Sequence, residues 1–165
     1  MSNYLILCVD DERVVLDSVM QDIDDFEEHF SIEAAESVEE ARGVISEYQQ
    51  EGKPLALILC DHIMPQETGI DFLIELNDKP STKTSRKILL TGQAGLEDTV
   101  QAVNKASLDF YISKPWSREE LLKAMKEQLT SFIIENDSNP LAWISILDAE
   151  RILKAAADKR VNFGD

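Results

Sequence analysis

Two apolar runs in this chain open with the same four letters, Leu5-Ile6-Leu7-Cys8 and Leu57-Ile58-Leu59-Cys60, and each breaks off into acid: Asp10 and Asp11 after the first, Asp61 after the second. An unbroken apolar run bounded by polar residues predicts a strand buried on both faces, because a parallel sheet covered by helices shows no alternation. Between these runs the apolar spacing becomes helical. After Asp11, Val14, Val15, Val19 and Ile23 fall on overlapping turns, which predicts an amphipathic helix directly beyond the first strand. "SIEAAES" predicts a short second strand. Ser37 and Glu40 then have the spacing of a capping box, opening a helix that carries Ala41, Val44, Ile45 and Tyr48 and closes at Gly52 and Pro54. The third strand is Leu55 to Cys60, followed by a loop with Pro65 and Gly69 and a helix around Ile70 to Asn77. "RKILLTG" predicts a fourth strand, "LEDTVQAVNKA" a fourth helix and "LDFYIS" a fifth strand. A second capping box, Ser117 with Glu120, precedes a helix with Leu121, Leu122, Met125, Leu129 and Phe132 at helical spacing.

Five strands alternating with five helices predict an α/β fold with a parallel sheet and right-handed crossovers, in which sites form beyond the carboxyl ends of the strands. Asp10 and Asp11 end the first strand, Asp61 the third and Thr91 the fourth, and Lys114 follows the fifth. One sheet edge therefore gathers all five groups. Carboxylates a few ångström apart repel by about 1 to 4 kcal/mol per pair at surface-like dielectric, so the cluster calls for a counter-charge, and a hard divalent cation with oxygen ligands, Mg²⁺ most naturally, supplies it. Singly, each residue has a plainer reading: Asp11 serves equally well as a helix cap, Thr91 as a turn residue and Lys114 as a solvated surface lysine. Their joint placement at the ends of four strands favours the shared site.

Composition narrows the field. The chain has 165 residues, enough for one domain and an appendage, and its 44% hydrophobic and 29% charged content is that of a folded soluble protein. No apolar run approaches the roughly 20 residues of a membrane helix, and the N-terminus has neither a basic region nor a small-residue cleavage site, so no membrane association and a cytoplasmic location are expected. Cys8 and Cys60 lie within the apolar runs without CxxC spacing and are expected to pack as small hydrophobes. A formal net charge of −16 disfavours direct contact with nucleic acid.

Asp10 and Asp11, "DHIMPQETG" with Asp61, Pro65 and Gly69, "LLTG" with Thr91, and "YISKPW" with Lys114 and Pro115 together resemble the receiver domain of bacterial two-component response regulators, over about residues 4 to 130. The resemblance implies a doubly wound, flavodoxin-like five-stranded sheet of order 2-1-3-4-5. It implies Asp61 as phosphoacceptor, and Asp11, Asp61 and the backbone carbonyl of Ile63 as Mg²⁺ ligands, with Asp10 reaching the metal chiefly through water. Thr91 and Lys114 match the phosphoryl contacts, Tyr111 the aromatic switch position, and Pro115 the residue that orients the lysine after a cis Lys-Pro bond. The implied partners are a histidine kinase or phosphotransfer protein and a downstream protein or fused output domain; the chain would be a phosphoacceptor with self-phosphorylation and self-dephosphorylation chemistry and not otherwise an enzyme. Two departures stand out: "KASLDFY" replaces the Gly-Ala that many receivers carry before the switch aromatic, and Ile63 and Gln93 flank the approach to the phosphoryl group. A rival reading is a Mg²⁺-dependent phosphatase or phosphotransferase working through an aspartyl phosphate, which would need a second acid near Asp61 as general acid.

The receiver is expected over residues 1–134, with residues 135–165 a linker and C-terminal helical extension. "ENDSNP" reads as the linker, Asn139 as a cap and Pro140 as the first position of a last helix. Trp143, Ile144, Ile146, Leu147, Ile152 and Leu153 spread around such a helix instead of forming one stripe. Docking on the chain's own receiver domain, a dimer contact and the start of an output domain are the open readings, and residues 140–160 are expected to pack near the face formed by the fourth helix, fifth strand and fifth helix, or to bridge two protomers there as a homodimer. A weaker similarity, in "LTGQAGLEDTVQAVNKA" and "KPW", is to receivers fused to HD-GYP-type cyclic-di-GMP phosphodiesterases.

Overall fold

A computed structural model describes residues 3–92 and 96–163 of the chain. Gln93 lies outside the described residues. The elements run β1 (Leu5–Val9), α1 (Arg13–Asp22), β2 (Ser31–Ala35), α2 (Val38–Gln50), β3 (Leu55–Cys60), α3 (Gly69–Asp78), β4 (Arg86–Leu90), α4 (Leu96–Lys105), β5 (Phe110–Ile112), α5 (Arg118–Asn136) and α6 (Ala149–Phe163), with 3₁₀ turns at Asp24–Phe26 and Pro140–Trp143. The strands form one parallel sheet in the order β2-β1-β3-β4-β5. This is the doubly wound, flavodoxin-like order.

The unbroken apolar runs are explained by two cores. Ile6, Cys8, Leu57, Leu59, Ile88 and Leu90 face the layer holding Leu16 and Val19 of α1 and Leu121, Met125 and Leu129 of α5. Their neighbours in sequence, Leu5, Leu7, Val9, Ile58, Cys60 and Leu89, face Ile45 of α2, Phe72 and Leu73 of α3 and Ala102 of α4. Cys8 and Cys60 sit on opposite faces, both buried and free, and act as core hydrophobes. Both expected capping bonds form: Glu40 donates its amide to Ser37 Oγ and Glu120 donates its amide to Ser117 Oγ, each at 3.1 Å. Among the described residues no helix is long and apolar enough to cross a membrane.

The C-terminal extension differs from expectation in two respects. Residues 140–163 are not one helix. Pro140–Trp143 is a single 3₁₀ turn, the Asn139 side chain makes no capping bond, and the true helix opens at Asp148, whose carboxylate accepts the Arg151 amide at 3.2 Å. The apolar residues that spread around a hypothetical helix therefore belong to two elements at different angles. Nor does the extension dock toward Thr91 and Tyr111. Trp143 is buried at the amino end of the sheet, its ring 5.1 Å from that of Phe30 and 5.9 Å from that of Tyr4, which in turn meets Phe132 of α5 edge-on at 5.2 Å. Leu147 and Ile152 join the same core. Asp137 fixes this corner by accepting from Tyr4 Oη at 2.7 Å and Trp143 Nε1 at 3.3 Å. The physical reason is that α1 and α5 leave an aromatic-lined hollow below β1 and β2, and a Trp with one polar atom fills it with that atom satisfied.

Trp143→Ala should therefore destabilise the protein by about 3 kcal/mol, at the low end for a buried aromatic because the site is at the edge of the core, read as a fall in the urea midpoint at constant slope.

Candidate functional site

The register of the sheet builds the site. Val9 of β1 pairs with Cys60 of β3, and the Asp61 amide donates to the Val9 carbonyl at 2.9 Å, so the residues one step further, Asp10 and Asp61, emerge side by side. Carboxylate oxygens of Asp10, Asp11 and Asp61 all lie within 4.8 Å of one another. Asp10 and Asp61 are each 5% exposed, and Asp11 is the most exposed of the three. Lys114 reaches in from the turn after β5, its Nζ 3.6 Å from Asp10 Oδ2 and 3.5 Å from Asp61 Oδ1. The Lys114–Pro115 peptide bond is cis. Three negative charges against one positive leave this pocket strongly anionic, and its donors are all hard oxygens. Such a set could hold a metal ion.

The electrostatics reflect the crowding. Burial holds the Asp10 carboxyl above the ordinary carboxylate range, and the charges of Asp61 and Asp11 push the same way; a hydrogen bond from the Glu12 amide at 2.9 Å and the charge of Lys114 push it down. Asp10 thus takes the amide at the start of α1, while Glu12, the residue in the capping position, makes no side-chain bond there. Capping, which the sequence allowed for Asp11, is made by no side chain at α1.

Thr91 is fully buried at the end of β4, and its carbonyl accepts a hydrogen bond from Tyr111 Oη at 2.9 Å. The Tyr111 side chain is thereby turned toward the site, while Phe110 beside it is 38% exposed. Ile63 is half exposed at the mouth of the loop after Asp61.

Glycine at position 69 has a geometric cause. The first residue of α3 lies against the main chain of Asp61, and a Cβ added there would sit 1.8 Å from the Asp61 carbonyl oxygen and 2.8 Å from its carbon. Both are backbone atoms, so no side-chain motion relieves the clash. The Gly69 amide donates to the His62 carbonyl at 2.8 Å, the Ile70 amide to His62 Nδ1 at 3.4 Å, and Thr68 caps α3 through the Asp71 amide at 3.2 Å. His62 is buried between the strand and the helix, a supporting role that a lone His in a polar loop does not advertise.

Residues 6–126 match the family described as response regulator receiver domain. The chain is 29% identical over 136 residues to the hydrogenase transcriptional regulatory protein HoxA of Cupriavidus necator, an alignment covering 82% of this chain and 26% of that protein. It is 28% identical over 117 residues to a probable cyclic di-GMP phosphodiesterase of Vibrio cholerae, covering 71% of this chain and 24% of the relative. A CheY-like response regulator receiver domain protein from Methanospirillum hungatei superposes with a TM-score of 0.69 at 32% identity, over 81% of this chain and 98% of the other. The chain thus spans about a quarter of the length of the first two relatives and nearly the whole of the third.

Crowding of charge and crowding of backbone are both measurable here. A carboxyl whose folded pKa is raised stabilises the fold fully only below its unfolded pKa, near 4, and that contribution is lost as pH rises through the folded value. Asp10→Asn should therefore be more stable than the parent at pH 7 without divalent cations, the gap closing toward pH 4, as thermal melts across pH will show. Gly69→Ala should cost at least about 3 kcal/mol, since it forces backbone apart from backbone, and denaturant unfolding measures it.

Proposed function

This chain belongs to the response regulator receiver family, and from that membership we propose that it is a phosphorylation-dependent switch whose Asp61 accepts a phosphoryl group from a histidine kinase or phosphotransfer protein. The observation that supports the reading is the pocket in which Lys114 Nζ stands 3.5 Å from Asp61 Oδ1 and 3.6 Å from Asp10 Oδ2 beside Asp11, and of these acids Asp61 is the one at the end of the central strand β3 that matches the family's acceptor position. Asp10, Asp11 and Asp61, with the Ile63 carbonyl, would hold Mg²⁺, which when bound neutralises phosphoryl oxygens. Asp61 Oδ attacks phosphorus, the P–N bond of the donor phosphohistidine breaks, and its electron pair returns to the imidazole. Lys114 holds a phosphoryl oxygen, a role it can take up because it already stands between two buried acids. Pro115 sets the direction from which that lysine enters.

The readout begins at Thr91. When its hydroxyl turns to a phosphoryl oxygen, the residue shifts and the Tyr111 hydrogen bond to its carbonyl is the first contact to be strained. Phosphorylation adds about 1.5 to 2 negative charges at this edge, and Thr91 and Tyr111 convert that local event into a change at α4, β5 and α5. The donor is a protein, a reading supported by the rim of the site: Val14, 83% exposed, borders an open cleft with Pro115 and Trp116 beside Lys114. The receiver occupies residues 1–134, with residues 135–165 as linker and helical extension, and its signal leaves by protein contact, to a separate partner, a second copy or a fused output domain. The relatives carry transcriptional and phosphodiesterase functions in their names, and those outputs are theirs.

Incubation with acetyl phosphate and Mg²⁺ should add one phosphoryl mass to the intact protein, and Asp61→Asn should abolish the addition. Phosphate gained equally by Asp61→Asn, or without Mg²⁺, removes Asp61 or the metal from the reaction.

A further inference from the structure

The loop between Asp61 and α3 is held from outside as well as from within. At its tip the Glu67 amide donates to the Pro65 carbonyl at 2.9 Å, two residues back, and the residue between them, Gln66, has φ 75°. That combination is a γ-turn of the positive-φ hand, a rare and strained conformation that persists only where the surroundings impose it. Glu67 is the one carboxylate between Asp61 and Gly69, and its side chain turns away from the acid pocket to Arg42 of α2. The Arg42 guanidinium is shared in a double fork: Nη1 donates to Glu67 Oε2 at 2.8 Å and Nη2 to Glu67 Oε1, while Nε donates to Glu75 Oε2 at 2.9 Å and Nη2 to Glu75 Oε1 at 2.7 Å. Its Cζ also lies 5.7 Å over the Phe72 ring, which is buried in α3. Arg42 therefore ties the loop tip to two helices at once. The hydrogen bonds from Arg42 hold the Glu67 carboxyl below its ordinary range.

We propose that Arg42 is a positioning residue for the acid site: through Glu67 it holds the strained turn, and so the Ile63–Met64 stretch between that turn and Asp61, in the shape that binds a divalent cation. The inference rests on the reading of Asp10, Asp11, Asp61 and the Ile63 carbonyl as the cation site. It concerns what keeps the neutral ligand in place, since three of the four ligating groups leave strand ends and only Ile63 is carried by a loop. Bidentate guanidinium–carboxylate pairing suits the task, because two parallel bonds fix orientation as well as distance.

Calorimetric titration with Mg²⁺ and amide exchange of the metal-free protein test the idea together. Arg42→Met should weaken Mg²⁺ about tenfold, as loss of a supporting contact to a metal ligand does, and should speed exchange at the Glu67 amide. Charge alone predicts the opposite for the metal, because removing a cation near an acidic pocket strengthens cation binding, so a loss of affinity reports geometry. Glu67→Gln, which weakens the loop's side of the contact and leaves Arg42 and Glu75 both charged, should match Arg42→Met in its effect on neighbouring amides. The exchanged pair Arg42→Glu with Glu67→Arg restores the parent's Mg²⁺ affinity, since the guanidinium, now carried by the loop, can grip both helix acids. Unchanged affinity and unchanged Glu67 exchange in Arg42→Met overturn the proposal, as does an equal loss in the single and exchanged variants. If the parent protein itself fails to bind Mg²⁺, the reading of the acid cluster falls, and the exchange rates alone then decide whether Arg42 holds the turn.

Discussion

The carboxyl edge of the sheet carries a repulsion that the molecule relieves only in part. Asp10 and Asp61 are forced into adjacency by the pairing of β1 with β3, and neither can withdraw without breaking that register. Both are buried, Asp11 stands beside them, and Lys114 supplies a compensating charge to both buried acids. Left to itself the cluster lowers stability. A fold that maintains it has given up stability for affinity toward something positive or electrophilic, the usual signature of a site under functional constraint. The strand ends supply rigidity, the loops supply approach, and the buried apolar runs on both faces keep the strands from shifting.

The supports of this arrangement are steric and polar in turn. Gly69 lets α3 begin against the carbonyl of Asp61, so the helix that follows β3 starts at once and its first turn can be capped by Thr68. His62 fills the gap that this abrupt turn leaves. On the other side, the Tyr111 hydroxyl donates to the Thr91 carbonyl, which couples the end of β4 to the middle of β5 without any charged group. The contact between Thr91 and Tyr111 is thus insulated from the screening that weakens surface ion pairs.

How much of this is legible in the sequence depends on the range of the interaction. Strand and helix periods are local, so all five strands, five of the helices and both N-cap serines, Ser37 and Ser117, stand in the expected places, and the strand-end rule brings Asp10, Asp11, Asp61, Thr91 and Lys114 to one edge. Contacts between residues far apart in the chain and unrelated by any motif are not visible. Arg42 is separated from Glu67 by 25 positions and from Glu75 by 33, and nothing near it distinguishes it from a solvated helix arginine. The expectation for the extension fails for a similar reason. Its apolar residues suggest one continuous helix because no breaker follows Pro140, whereas Asp148 restarts the helix by capping it, and the hollow that receives Trp143 is lined by Tyr4, Phe30 and Phe132, three positions that only the fold brings together.

That hollow has a consequence for how the protein comes into being. Chains emerge from the ribosome amino end first at roughly 5 to 20 residues per second, and domains tend to fold as units. Tyr4 and Phe30 appear early, yet the ring that covers them is at position 143, well beyond the last residue of α5. A nascent chain in which β1 to α5 have all emerged therefore still shows an aromatic surface at the base of its sheet, and the closing step waits for Asp137 and Trp143. The extension joins this core after β1 to α5 have been made, and for the interval before it arrives those elements present their sticky aromatic side to their surroundings.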